Sequence, residues 1–82
     1  MIYSVEIKVG LKKGVADPEG KNVKKTLQLL GLTNLGDVST AHLYRMNIDA
    51  ESEEKAREEA TMMCEKLLAN PVINIYEITI LE

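Results

Sequence analysis

Between Leu11 and Gly20 the stretch LKKGVADPEG gathers two lysines, an aspartate, a glutamate, two glycines and a proline. It follows an alternating apolar run and opens an amphipathic one, a setting in which the backbone N–H groups of a helix N-terminus can hold an anion. The phosphate-loop consensus GxxxxGK[ST] is not met, because Gly14 and Gly20 stand six residues apart and Lys21 is followed by Asn22. Asp17 would also repel a phosphate at that entrance. The plainer reading is a turn and a helix cap, with Asp17 at the N-cap, Pro18 in the first helical position and Glu19 facing the positive helix end.

Acid–base chemistry needs carboxylates or histidine gathered in a cleft. Glu51, Glu53, Glu54, Glu58 and Glu59 fall within one or two helical turns and read as a solvated face. His42, the single histidine, lies mid-strand beside Tyr44 and Arg45, with neither nucleophile nor metal to serve. Cys64, the single cysteine, has no partner for an internal disulfide and falls on an apolar helical stripe, the position of a small core residue. A reactive thiol needs an electropositive, accessible setting. One cysteine and one histidine make no metal-ligand cluster. No catalytic, cofactor-binding or metal-binding residue is therefore expected on this chain.

The elements that position these residues follow from periodicity. Residues 2–9 alternate as a half-buried strand, with Tyr3, Val5, Ile7 and Val9 on one side and Ile2, Ser4, Glu6 and Lys8 on the other. A helix from Pro18 carries Val23, Leu27 and Leu30 at i, i+4 and i+7, a stripe expected to pack, and Gly31 suits a left-handed stop. A weaker strand runs from Asp37 to Ile48. A second helix, capped by Ser52 or Asp49, continues to about Ala69, with Ala56, Ala60, Met63, Cys64, Leu67 and Leu68 on its core stripe. Pro71 forces Asn70 out of helical geometry, and VINIYEITIL, residues 72–81, forms the third strand.

This order predicts one α+β domain over residues 1–82, a β-α-β-α-β unit whose small antiparallel or mixed sheet carries two helices on one face. A chain of this length buries only roughly 60% of its unfolded surface. Ile2, Leu43, Ile73 and Ile75 also ask for burial away from the helices, so self-association through the open sheet face or an edge is expected. A net charge of -3 argues against nucleic acid and against an anionic membrane surface. No apolar run approaches the roughly 20 residues of a membrane span, and the N-terminus starts in a strand pattern, so a cytoplasmic protein is expected.

Several small domains of similar layout need residues that are missing. Residues 10–20 hold neither the arginine of an acylphosphatase nor the CxxC of a metal chaperone, and without Phe or Trp the chain lacks the stacking aromatics of an RNA-recognition motif. An amino-acid-sensing module of the ACT type stays open, because its ligand site is built at a dimer interface from loop backbone.

Two stretches carry a family resemblance. Leu11 to Gly20, followed by Val23, Leu27 and Gly31, resembles the LKxGVxDPEGxxV…L…LG pattern of PurS, the small subunit of phosphoribosylformylglycinamidine (FGAM) synthase. KLLANPVINIY, Lys66 to Tyr76 with Cys64 before it, is similar to that family's CxKLLANPVIExY. The resemblance implies a non-catalytic subunit that assembles as a dimer or tetramer. It also implies joining a glutaminase subunit to a large synthetase subunit in a complex that uses ATP, magnesium and glutamine. Lys12, Lys13, Asp17, His42, Arg45 and Asn70 are the candidate partner-interface residues. One departure stands out: where many PurS sequences carry an RxGK-like element on the second strand, this chain reads Ser39-Thr40-Ala41-His42.

Overall fold

The computed structural model describes residues 1–81. Its elements run β1 (Ile2–Leu11), α1 (Pro18–Leu29), β2 (Ala41–Asp49), α2 (Glu53–Met63) and β3 (Asn74–Ile80), with α2 prolonged by one π-helical turn over Cys64–Leu68. The sheet is wholly antiparallel in the order β2-β1-β3. Its register places Val5 between Met46 and Ile80, Ile7 between Tyr44 and Ile78, and Val9 between His42 and Tyr76. The odd residues of β1 and the even residues of both neighbours therefore share the core face, as the alternation requires.

Helix α2 covers that face. Ala56, Ala60 and Cys64 are fully buried against Val5, Ile7 and Ile48, and small side chains at these positions let the helix backbone approach the sheet closely. Ser52 caps the helix, its Oγ accepting the Lys55 N–H at 3.2 Å. At its C-terminal end the Ala69 N–H donates to the Cys64 carbonyl at 3.0 Å, the wider i to i+5 bond of a π turn. That widening corrects one expectation: Leu68 comes back over the sheet half-buried, whereas Leu67, expected on the core stripe, is 82% exposed.

Helix α1 differs. Of its residues only Gly20 is buried, Val23 is 40% exposed and Leu30, just past its end, 72%. The expected apolar stripe is present but contributes nothing to the core among the described residues, Leu27 alone of it being half-buried, and the molecule is drawn out to 51 × 26 × 14 Å. A stripe records that a face is to be covered, not by what. The helix stops as expected. Gly31 adopts φ 97°, with the Leu32 N–H on the Leu27 carbonyl at 3.0 Å and the Gly31 N–H on the Gln28 carbonyl at 3.1 Å, the two bonds of a Schellman motif.

Strand β2 begins at Ala41, four residues later than its alternation suggested. The ladder ends there because Ala41 is the last partner of β1, opposite Gly10, and the preceding Thr40 N–H is taken by Asp17 at 2.7 Å. On the open face a polar band crosses the centre: Arg45 Nε donates to Glu6 Oε2 at 2.7 Å, Ser4 Oγ to Asn47 Oδ1 at 3.2 Å, and Lys8 lies 4.0 Å from Glu77. Ile2, Leu43, Ile75 and Leu81 remain exposed around it.

Candidate partner-binding surfaces

The candidate residues fall into three groups. At one end of the sheet the Lys12 N–H donates to the Ile73 carbonyl at 2.8 Å and its Nζ to the Pro71 carbonyl at 2.6 Å. Lys12 thus staples the β1–α1 loop to the junction before β3. Asn70 organises that junction. Its Oδ1 accepts the Val72 N–H at 2.9 Å and its carbonyl the Asn74 N–H at 2.7 Å, while its own N–H donates to Asn74 Oδ1 at 2.8 Å. Asn74 completes the tie, its Nδ2 donating to the Gly10 carbonyl at 2.9 Å. Lys13 is exposed beside this staple.

Asp17 forms the second group. Its Oδ1 accepts the Gly20 N–H at 2.9 Å, and its Oδ2 accepts the Thr40 N–H at 2.7 Å. The Thr40 hydroxyl lies within 3.0 and 3.1 Å of the two oxygens. Three donors, the hydroxyl shared between both oxygens, stabilise the anion. The Gly20 and Thr40 backbone N–H groups hold the carboxyl below its usual range, with burial opposing and the Thr40 hydroxyl adding to them.

His42 and Arg45 lie on opposite faces of β2, as their parity dictates. His42 is on the core side, its ring centre 6.4 Å from that of Tyr44 and tilted by 60°. With Glu19, Thr40, Tyr44, Leu68 and Asn74 it lines an open hollow of about 420 Å³. Arg45 belongs to the polar band behind the sheet. The six residues therefore form no single patch: Lys12, Lys13 and Asn70 belong to the loop and junction at one end of the sheet, Asp17 bonds to Thr40, His42 lines the core-side hollow, and Arg45 lies on the opposite face.

Sequence reasoning missed Thr40 and Asn74, both short polar side chains whose partners are distant in the chain. The Asn-x-x-x-Asn spacing within NPVIN was the available signal for Asn74. For Thr40 the signal was its place in the Ser39–His42 departure, which does not announce a bond to Asp17. Burial, and secondarily the Glu65 charge, pushes the Cys64 thiol up, away from the thiolate a nucleophile needs. The Tyr76 hydroxyl is also raised, because it donates to Glu65 Oε2 at 2.7 Å. Among the described residues no three metal-ligating side chains converge.

The family model of PurS, phosphoribosylformylglycinamidine (FGAM) synthase, matches residues 4–82. The chain belongs to the PurS family. The PurS subunit of Archaeoglobus fulgidus is 51% identical over 73 residues, 89% of this chain and 91% of that one. The crystal structure of Methanocaldococcus jannaschii PurS, one of the subunits of formylglycinamide ribonucleotide amidotransferase in the purine biosynthetic pathway, superposes with a TM-score of 0.88 at 44% identity. It covers 98% of this chain and 96% of that one. A chain in the structure of PurLQS from Thermotoga maritima gives a TM-score of 0.91 at 28% identity, covering 99% of both. PurS is thus a subunit of a ligase complex, and the drawn-out α1 belongs to a fold shared along its whole length with these relatives.

Proposed function

We propose that this chain is the non-catalytic small subunit of FGAM synthase in purine biosynthesis. It holds a glutaminase subunit against an ATP-dependent synthetase subunit, so that ammonia released from glutamine reaches formylglycinamide ribonucleotide. The observation that carries this reading is the superposition, over 99% of both chains, on a chain within PurLQS of Thermotoga maritima. The apolar α1 face and the exposed apolar rim of the open sheet supply surface for protein partners, the first of them a second copy of this chain in a dimer or tetramer. Residues 1–82 act as one domain in this reading, in the cytoplasm. ATP, magnesium and glutamine belong to the other subunits.

Lys12, Lys13, Asp17, His42, Arg45 and Asn70 remain the candidate interface residues, with different roles. Lys13, His42 and Arg45 are exposed and suited to direct contact. Lys12, Asp17 and Asn70 are engaged within the chain and would act by shaping the loops that are presented. The test is glutamine-dependent FGAM formation by purified synthetase and glutaminase subunits, with and without this chain. Strict dependence is expected; a full glutamine-dependent rate in its absence overturns the proposal.

A further inference from the structure

Helix α1 leaves the sheet with almost no apolar packing of its own, yet its first turn is tied down. Asp17, the residue before the helix, bonds forward to the Gly20 N–H and across to both the N–H and the hydroxyl of Thr40, which immediately precedes β2. Gly20 is the only buried residue of α1, and a Cβ added there would lie 2.3 Å from the Val38 carbonyl oxygen. Only glycine lets the first helical turn lie directly on residues 38–40. The other tie is the Lys24–Asp37 ion pair at 3.4 Å, whose Asp37 side chain is wholly exposed, and such a pair adds little.

From this geometry we propose that Asp17, Thr40 and Gly20 form a rigid joint that sets the direction of α1, and that Asp17 is thereby a positioning residue for assembly. The carboxylate does two separable things. One oxygen caps α1; the other, with the Thr40 hydroxyl, bridges the helix to the entry of β2. Capping alone would leave the helix formed but free to swing about the connections on either side. Bridging fixes its axis, and with it the placement of Val23, Leu27 and Leu30 for whatever covers them. The departure at residues 39–42 falls at this joint, where Thr40 supplies both groups that Asp17 grips.

The joint deepens the assembly reading above and rests on it for its functional consequence. Asparagine caps a helix as well as aspartate does, but its amide nitrogen would face a donor at Thr40. Asp17→Asn therefore keeps the cap and turns its amide nitrogen toward the Thr40 N–H, Thr40→Val removes the hydroxyl part of the bridge but keeps the backbone N–H bond, and Thr40→Ser retains the whole bridge. The experiment measures amide exchange across α1 and β1 in the isolated chain. It also measures the concentration of this chain that half-saturates glutamine-dependent synthesis by the other two subunits.

Asp17→Asn should raise that concentration by about tenfold and Thr40→Val by less, the double variant should be no worse than Asp17→Asn, and Thr40→Ser should match the wild type. Exchange should quicken at the Thr40 N–H and in the first turn of α1, while β1 stays protected. Wild-type half-saturation and exchange in Asp17→Asn would overturn the proposal and leave Asp17 a cap only. Additive effects in the double variant would do the same. If the wild-type chain itself supports no synthesis, the assembly reading falls, and the exchange data still decide the joint.

Discussion

The two helices have similar apolar stripes and opposite fates. Along α2, Ala56, Ala60 and Cys64 are buried against β1 and β2 within one chain. Along α1, Val23 and Leu30 are exposed and Leu27 half-buried, and the helix is held at its base by hydrogen bonds instead of by a core. The difference teaches that the two stripes serve different levels of organisation. The α2 stripe stabilises the chain that carries it. In the assembly reading proposed above, the α1 stripe is surface for a partner, which a domain too small to build a large core can use for stability as well.

The sharpest way to break this comparison is to truncate each side. Ile7→Ala, at a fully buried position under α2, should lower unfolding stability in urea by about 2–5 kcal/mol. Leu30→Ala in the dilute, unassembled chain should stay within about 0.5 kcal/mol of the wild type, because an exposed side chain loses little on truncation. If the two variants were equally destabilised at low concentration, α1 would be covered within its own chain and the contrast would collapse. Leu67→Ala belongs with Leu30→Ala, since the π turn carries Leu67 into solvent.

The same contrast explains what could be read from the residues alone. Alternation in β1 identified Val5, Ile7 and Val9 as core correctly, because a period of two leaves no choice of face once one face is apolar. Gly31 and Pro71 marked helix ends through backbone restrictions that act locally. Leu67 was misplaced because the face it takes depends on a bonding pattern, i to i+5 instead of i to i+4, that no residue type announces. The start of β2 was misplaced because Val38 and Thr40 keep the strand parity, although the ladder has already ended and Thr40 bonds to Asp17. At the candidate sites the sequence marked residues that punctuate, such as Asp17 and Asn70. Which partners they take was legible fully only in three dimensions, although the Asn-x-x-x-Asn spacing pointed to Asn74.

A smaller effect should follow from Gly20→Ala. The added methyl meets the Val38 carbonyl oxygen, a backbone atom that cannot rotate away, so the base of α1 must separate from residues 38–40. Overpacking of this kind costs about 1–3 kcal/mol, and exchange of the α1 amides should report it before those of β1 do. Alanine is otherwise the better helix former, by roughly 1 kcal/mol over glycine. An unchanged or slower exchange would show that the close approach at Gly20 does not hold the helix, and that α1 is anchored elsewhere.

The smallest expected effect is a pH dependence confined to the same joint. Bonds from Gly20 and Thr40 hold the Asp17 carboxyl below its usual range, so the folded chain binds this proton less readily than the unfolded one. A group shifted in this direction contributes stability above its unfolded value of about 3.9 and loses that contribution as pH falls through the lower folded value. From pH 7 to pH 5 the α1 base should therefore be unchanged, and as pH falls below about 4 it should loosen ahead of the sheet. Carboxyl resonances followed by NMR give the Asp17 midpoint directly, and amide signals of Gly20 and Thr40 should move with it. A Gly20 signal that titrates without Thr40 would mean that the carboxylate caps α1 but does not bridge it to β2.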